Sequence, residues 1–367
     1  MTIEDELKRF KEEWNNDSPL IEVHTSGSTG TPKRMLVKKQ QMMNSARITC
    51  DFLGLKPGDK ALLCMPLRYI AGKMMVVRSL VAHLDLLAVE PSGHPLATIE
   101  TPLRFAAMIP MQVYNSLQVP EERRRLEQIE TLIIGGGAID AALEQELRHL
   151  PGRIYSTYGM TETLSHIALR RLNGSEASSY YTPFPEVHLS LSEHNTLVID
   201  APAVSDKTLV TNDIAELLPN GTFRIIGRKD NMIVSGGIKM QIESMENLLR
   251  SNISFNFAIT AVPDPKFGEA VVLLVESAGQ TIDVSESTRQ QWFARLPKYQ
   301  HPKQVIVVDA IPLTETGKID RASCRLLAGK RMKEEAYHTL NSIRNEKNLD
   351  NCCAITVSHL RRKLCLR

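Results

Sequence analysis

The sequence predicts an α/β protein, with a large N-terminal α/β domain that includes an antiparallel β section and a small α+β domain after it. Between residues 3 and 160, short apolar runs alternate with amphipathic stretches, the order typical of a parallel sheet covered by helices. From about 164 to 234 the pattern changes to short strands between turn residues, which indicates antiparallel pairing. From 241 onward the order is helix, strand, strand, helix, strand, a unit of roughly 90 residues and so large enough for a domain.

The elements of the first part follow one another with short connections. We expect helices at 3–16, 39–53, 70–83, 121–129 and 140–149, and strands at 19–23, 60–65, 84–89, 105–109, 131–134 and 153–156. Strands that alternate with helices pair in parallel through crossovers, so these strands are expected to be largely buried.

The order of predicted elements changes in the second part of the chain. We expect strands at 166–172, 187–191 and 196–199, then a helix at 241–250, strands at 256–262 and 270–276, a helix at 285–296 and a strand at 304–308. Residues 331–347 could extend a helix, and the basic end of the chain is expected to be poorly ordered. The predicted domains are 1–229, 230–330 and a tail, 331–367, of unknown role.

Composition excludes several classes of protein. A chain of 367 residues is long for one core, and its 43% hydrophobic and 23% charged residues match an average globular protein. The net charge of +2 gives no general attraction to nucleic acid or to a membrane surface. The six cysteines form no Cys-x-x-Cys pair, which argues against a zinc site or a disulfide framework. The acidic N-terminus and the lack of a long apolar run predict a cytoplasmic protein without a membrane span.

A loop rich in Ser, Thr and Gly, residues 24–33, follows the first predicted strand. Glycines allow a close approach of the backbone, N–H groups and hydroxyls donate to anions, and Lys33 adds a positive charge, so this composition suits a polyphosphate. It is not a Walker A loop, since Pro32 stands where the second glycine should be. A solvated linker is the alternative, although linkers need neither the preceding strand nor the lysine.

Four further motifs could carry chemistry, and each also has an ordinary structural interpretation. Residues 155–163 follow a strand end and include Glu162, an oxygen ligand suited to Mg²⁺ or simply a capping residue. Gly135, Gly136 and Gly137 could lie against a flat ring or form a tight turn. Asp213 and Arg228 could hold a ribose or form a surface ion pair. Lys318, beside a glycine, could be catalytic or merely solvated.

Taken together and in order, these motifs resemble the adenylate-forming acyl-CoA synthetase superfamily. The matching segments are 25–33, 158–163, 211–213, 227–230, 235–237 and 316–321. The resemblance implies a two-step reaction in which a carboxylate attacks the α-phosphate of ATP and the thiol of coenzyme A then displaces AMP. It also implies that the small C-terminal domain is mobile and rotates between the two steps.

The resemblance assigns a role to each matching residue. Thr25, Ser26, Gly27, Ser28, Thr29, Gly30 and Lys33 would hold the β- and γ-phosphates of ATP. Gly135, Gly136 and Gly137 would border the adenine, Tyr158 would stack on it beside Gly159, and Asp213 and Arg228 would hold the ribose. Thr161 would contact the α-phosphate, Glu162 the Mg²⁺, and Lys318 both the α-phosphate and the substrate carboxylate. Asp230 would be the hinge, and Ser235, Gly236 and Gly237 would line the coenzyme A tunnel.

Within the superfamily, the segments 65–75 and 107–112 look most like those of o-succinylbenzoate–CoA ligases of menaquinone biosynthesis. One of the cations Arg68, Lys73 and Arg78 could then meet the second carboxylate of the substrate, or all three could be solvated. The alternatives are a ligase for another aryl or fatty acid, with coenzyme A or a carrier protein as acceptor, and a non-catalytic nucleotide-binding relative. Because only 24 residues precede Thr25, we also expect that a homodimer could cover the pocket.

Overall fold

The computed structural model describes residues 2–24, 34–139, 141–314 and 317–334. The helices are α1 (Ile3–Asn15), α2 (Lys39–Leu53), α3 (Ile70–Ala82), α4 (Pro110–Gln118), α5 (Pro120–Glu127), α6 (Ala141–Arg148), α7 (Ile242–Leu249) and α8 (Glu286–Trp292). Residues 321–334 are also helical.

The strands of the first 232 residues are β1 (Leu20–His24), β2 (Arg34–Lys38), β3 (Lys60–Leu63), β4 (Asp85–Ala88), β5 (Leu103–Met108), β6 (Ile129–Ile134), β7 (Arg153–Gly159), β8 (His166–Arg171), β9 (Thr182–Pro183), β10 (His188–Leu191), β11 (Thr196–Asp200), β12 (Leu209–Leu217) and β13 (Phe223–Arg228). The strands that follow are β14 (Met232–Ser235), β15 (Ile238–Gln241), β16 (Phe257–Asp264), β17 (Gly268–Glu276) and β18 (Gln304–Val308).

The main sheet has the order β4-β3-β5-β6-β7-β8-β9, and its first five strands are parallel. This confirms the parallel α/β core. The strands β8 and β9 pair antiparallel at one edge of the same sheet, whereas the whole 164–234 region was expected to lie beside the core. The chain turns directly from β7 into β8 through a 3₁₀ helix at Thr161–Thr163, and without a crossover helix the next strand must run antiparallel.

Two smaller sheets belong to the same part of the chain. Strands β10-β11-β12-β13 form the expected antiparallel section, and β1 pairs antiparallel with β2. Strand β2 was not predicted. Helix α4 was also missed, although Pro110 stands at its first turn, where proline lacks only an N–H that would have no helical partner.

The C-terminal part folds around one sheet, with the order β15-β14-β17-β16 and with β18 parallel to β17. Both faces of this sheet are covered. Ile259 and Leu273 pack in one buried cluster, whereas their chain neighbours Ala258 and Leu274 pack in the other. This explains why β16 and β17 are almost continuously apolar, since strands buried on both faces show no polar alternation.

The described residues group into two compact units. The first contains the chain up to Met232 together with Leu313–Lys318, and the second contains Ile233–Pro312 and the chain from Ile319 onward. Among the described helices, none is long and apolar enough to cross a membrane. The described cysteines Cys50, Cys64 and Cys324 are buried free thiols.

Candidate active site

Two loops at the carboxyl edge of the parallel sheet carry predicted site residues. Gly135–Gly137 follow β6, and Thr161 and Glu162 follow the neighbouring strand β7. A Cβ atom on Gly135 would lie 2.4 Å from Oγ1 of Thr157, so a side chain at this position would have to displace the Thr157 hydroxyl. Gly136 has a φ of +80°, a conformation that side-chain-bearing residues rarely adopt. The three glycines therefore form a surface of bare backbone at the ligand edge of the sheet.

Four predicted residues form a continuous chain of hydrogen bonds. The hydroxyl of Tyr158 donates to Oδ2 of Asp213 at 2.7 Å, and Nη1 of Arg228 donates to Oδ1 of Asp213 at 3.0 Å. Asp213 and Arg228 face each other in the β12–β13 ladder. The other two nitrogens of the Arg228 fork donate to the two oxygens of Asp230, each at 3.0 Å. One guanidinium thus joins the predicted ribose-binding carboxylate to the predicted hinge carboxylate.

The electrostatics of these hydrogen-bonded residues are consistent with a binding site. Burial, reinforced by the neighbouring Asp213 carboxylate, raises the pKa of Tyr158, so its phenol stays protonated and acts as a donor. Lys318 belongs to the segment of the first unit that spans Leu313–Lys318. Burial and the like charge of Arg228 lower the pKa of Lys318, and Asp213 partly opposes them. The structure therefore places Lys318 in the electrostatic environment of the Asp213–Arg228 pair.

Sequence reasoning missed two aromatic residues that position Tyr158. The ring of Tyr158 lies edge-on to Phe223, with 5.1 Å between ring centroids, and 5.9 Å from the ring of Tyr181. Tyr181 and Phe223 also exchange backbone hydrogen bonds. No local pattern marks these two residues, because an isolated bridge brings Tyr181 to Phe223 from a distant part of the chain.

The residues after β7 suit a magnesium ion. Thr161 is buried, whereas Glu162 is exposed, and none of the described residues engages its carboxylate. Within the described ranges, no cluster of three or more His, Cys, Asp or Glu could hold a metal ion. A single free carboxylate nevertheless fits Mg²⁺, which is usually bound by one or two carboxylates and the phosphates of its substrate.

The three candidate substrate cations lie in different environments. Arg68 is exposed and stacks over the ring of Tyr69, with 4.9 Å to the ring centroid. The ammonium group of Lys73 donates to the carbonyl of Glu22 at 2.6 Å and so links α3 to β1. Arg78 is the most buried, at 2% exposure, and it forms no ion pair with any described residue.

The remaining predicted residues fall into two groups. Thr25, Ser26, Gly27, Ser28, Thr29, Gly30 and Lys33 are outside the described residues. Gly236 and Gly237, in the second unit, have φ values of +58° and +81° and form the two-residue turn between β14 and β15. Glycine is favoured at such a turn because both central residues require a positive φ. Their role in a coenzyme A tunnel stays a prediction.

The family follows from comparison with known proteins. A model of the AMP-binding enzyme family matches residues 2–203, and a model of the AMP-binding enzyme C-terminal domain matches residues 246–318. The chain belongs to the AMP-binding enzyme family. The first match covers more than half of the chain, and the two matches follow the same order as the two structural units.

Individual members of the family resemble the chain over most of its length. A curated 2-succinylbenzoate–CoA ligase from Geobacillus sp. (strain WCH70) is 25% identical, with 88% of this chain and 72% of the relative covered. Other curated relatives with that name are covered over only 62% of their length. The crystal structure of an acyl-CoA synthetase (AMP-forming)/AMP-acid ligase II-like protein from Dyadobacter fermentans is 34% identical, with a TM-score of 0.59 and coverage of 87% and 92%.

The fold is also shared with o-succinylbenzoate CoA synthetase (MenE) from Bacillus subtilis, solved in complex with its acyl-adenylate intermediate. That structure is 22% identical, with a TM-score of 0.68, and the match covers 82% of this chain and 68% of the other. At this identity the likeness shows the fold of the family.

Proposed function

We propose that this chain is an ATP-dependent acid–CoA ligase that works through an acyl-adenylate, with o-succinylbenzoate as the acid in menaquinone biosynthesis. The observation that carries the proposal is the hydrogen-bonded series Tyr158–Asp213–Arg228, whose charged members also act on the pKa of Lys318. The proposal is supported by membership of the family and by the names of the curated relatives.

The nucleotide would lie at the carboxyl edge of the main sheet. The flat adenine ring would lie against the bare backbone of Gly135–Gly137, with Tyr158 and Gly159 beside it. The carboxylate of Asp213 would accept hydrogen bonds from ribose hydroxyls, because two donors, Tyr158 and Arg228, already orient it. In this proposal the loop from Thr25 to Lys33 holds the β- and γ-phosphates.

In the first step a carboxylate oxygen of the acid attacks the α-phosphorus, a new oxygen–phosphorus bond forms, and the bond to pyrophosphate breaks. An anion must approach a polyanion, so catalysis is mostly a matter of charge stabilisation. The ammonium group of Lys318 would donate to both the carboxylate and the α-phosphate, and Thr161 would donate its hydroxyl to the α-phosphate. Mg²⁺ held by Glu162 would neutralise phosphate charge.

In the second step the thiol of coenzyme A attacks the acyl carbon and AMP leaves. We propose that Asp230 is the hinge of the domain rotation that removes Lys318, and that Ser235, Gly236 and Gly237 line the pantetheine tunnel. Both roles are consistent with turn-forming glycines and with a hinge carboxylate that is held by a single arginine.

Arg78 is the candidate cation with the strongest physical reason to meet the second carboxylate of the acid. Its Nε has no hydrogen-bond partner among the described residues, Nη2 donates to Oγ of Ser165 at 2.5 Å, and burial lowers its pKa to about 10. A buried cation without an anion is costly, so a ligand carboxylate would relieve that cost. Ser165 follows the Thr161–Thr163 turn, which connects Arg78 to the proposed reaction centre.

Replacing Arg78 by methionine is expected to raise the KM for o-succinylbenzoate by about tenfold or more, because a charged hydrogen bond contributes about 1.5–3 kcal/mol. The KM for an aromatic acid that lacks the second carboxylate should change little, and this acid is the control. Steady-state pyrophosphate release measures both values. An unchanged KM for o-succinylbenzoate would show that Arg78 is not the cation that meets the second carboxylate.

The function itself is tested by pyrophosphate release from ATP and Mg²⁺ with a panel of carboxylic acids, with and without coenzyme A. We expect strong release with o-succinylbenzoate, and thioester once coenzyme A is added. Pyrophosphate release with another acid only would support the acyl-adenylate chemistry but contradict the role in menaquinone biosynthesis. Thioester formation only on a carrier protein would show that the acceptor is not coenzyme A. No release with any acid, despite ATP binding, would favour a non-catalytic relative.

We propose that the enzyme acts in the cytoplasm on small molecules and binds no nucleic acid. The homodimer stays a prediction, which light scattering of the purified chain would test.

A further inference from the structure

Lys318 lies in the loop between β18 and the helical residues 321–334, of which the structure describes residues 309–314 and 317–320. The backbone N–H of Asp320 donates to the carbonyl of Pro312 at 2.9 Å and closes the base of the loop. Nearer the tip, the N–H of Thr314 donates to the carbonyl of Lys318 at 2.7 Å, and the N–H of Lys318 donates to Oγ1 of Thr314 at 3.1 Å. The position of Lys318 therefore depends on how the base of the loop is held.

Arg321, the first residue after this base, holds a buried carboxylate with both ends of its guanidinium fork. Nη1 and Nη2 donate to the two carboxylate oxygens of Glu246 at 2.6 and 2.7 Å. Glu246 lies on α7 and is 4% exposed. Its Oε1 also accepts the backbone N–H of Ile259, on β16, at 2.8 Å. The fork therefore ties the end of the loop to a helix and to a strand of the second unit.

The adjoining residue fixes the direction in which the helix leaves the loop. The carboxylate of Asp320 accepts from the backbone N–H of Ser323 at 3.1 Å and from its hydroxyl at 2.7 Å, as an N-cap does. Lys318 is three residues from Arg321, so their Cα atoms are at most about 11 Å apart. A shift of Arg321 relative to Glu246 would therefore also move Lys318, because the backbone between them is short.

We propose that Arg321, held by Glu246, is a positioning residue for the first half-reaction, because it fixes the base of the loop that presents Lys318. This inference rests on the proposed function. A buried ion pair contributes little net stability compared with a well-packed apolar pair, whereas its two-pronged geometry sets an orientation that no apolar pair can reproduce. Arginine rather than lysine is needed, since the planar fork reaches both carboxylate oxygens at once.

The same helix offers a matched control. Arg325, one turn further on, donates to Oε1 of Glu269 at 2.6 Å, and its side chain is 52% exposed. The two pairs share residue types, helix and structural unit, but only Arg321 adjoins the base of the loop. Exposed pairs contribute little, so Arg325→Met is expected to change neither half-reaction.

The experiment compares Arg321→Lys, Arg321→Met and the double variant Arg321→Met/Glu246→Leu with wild type in the full chain. Pyrophosphate release measures adenylation, thioester formation from supplied acyl-adenylate measures the second step, and urea unfolding measures stability. We expect each variant to lose at least about tenfold in kcat of adenylation with the KM for ATP nearly unchanged. The second step should stay within about twofold of wild type.

The double variant separates positioning from stability. It removes both charges, so its urea midpoint should return toward that of wild type, while the adenylation rate stays low. Recovery of adenylation together with stability would overturn the proposal, as would equal losses in both half-reactions or the same loss in Arg325→Met. If wild type itself releases no pyrophosphate, the proposed function fails first, and the two failures are distinguishable.

Discussion

Replacing Lys318 by alanine is expected to slow acyl-adenylate formation by about 10²–10³-fold, the usual cost of removing one preorganised electrostatic donor. The ammonium group is the only part of the proposed machinery that would contact both reacting partners, the carboxylate and the α-phosphate. Burial and Arg228 lower the pKa of Lys318, and a more acidic ammonium group is a stronger hydrogen-bond donor. The loss should therefore appear in kcat rather than in the KM for ATP.

The measurement follows each half-reaction separately. Rapid-quench pyrophosphate release gives the rate of adenylation, and supplied acyl-adenylate with coenzyme A gives the rate of thioester formation. Thioester formation should change little, because the proposed domain rotation removes Lys318 before the thiol attacks. Equal losses in both steps would refute the role of Lys318. Lys298, in the exposed 3₁₀ helix Lys298–Gln300, gives the matched control Lys298→Ala, for which no loss is expected.

Replacing Asp213 by asparagine is expected to raise the KM for ATP by about 10–100-fold, since hydrogen bonds to charged groups contribute about 1.5–3 kcal/mol. The amide has nearly the same size as the carboxylate, but one of its ends is a donor. The NH₂ end of the asparagine amide would then face a donor, because both partners of this side chain, the hydroxyl of Tyr158 and the guanidinium of Arg228, donate. The ribose hydroxyls lose a charged acceptor, and Arg228 loses one of its two described carboxylate partners, Asp213, while its contact with Asp230 stays.

The control for Asp213 lies on the same pair of strands. Glu216 faces Arg224 in the β12–β13 ladder, as Asp213 faces Arg228, and the two side chains form an ion pair away from the predicted site residues. Glu216→Gln should leave the KM for ATP unchanged, because the pair is exposed and carries no proposed ligand contact. Steady-state kinetics with varied ATP measures both variants. A similar KM in the two variants would remove Asp213 from the ribose site.

Much of the fold could be predicted because its signals are local. Alternating apolar runs mark β3, β6 and β7 and their intervening helices, and a strand needs only a few residues to show its pattern. Strand β2 and helix α4 were missed for different reasons. Strand β2 has an exposed Leu36 and one buried residue, so it shows little alternation, and the proline at the start of α4 separates it from a strong apolar run.

The order of short motifs along the chain was sufficient by itself to indicate the family, because glycines, hydroxyls and single charges at fixed spacing are visible in a sequence. Only the tertiary structure decided which charges meet. It joined Tyr158 on β7 to Asp213 on β12, 55 residues later, and set Asp213 opposite Arg228 on the adjoining strand β13. It also buried Arg78 with no ion pair to any described acid, whereas Arg68, ten residues earlier, is exposed. Burial and long-range pairing depend on how the elements pack, and packing is set by the whole chain rather than by any local pattern.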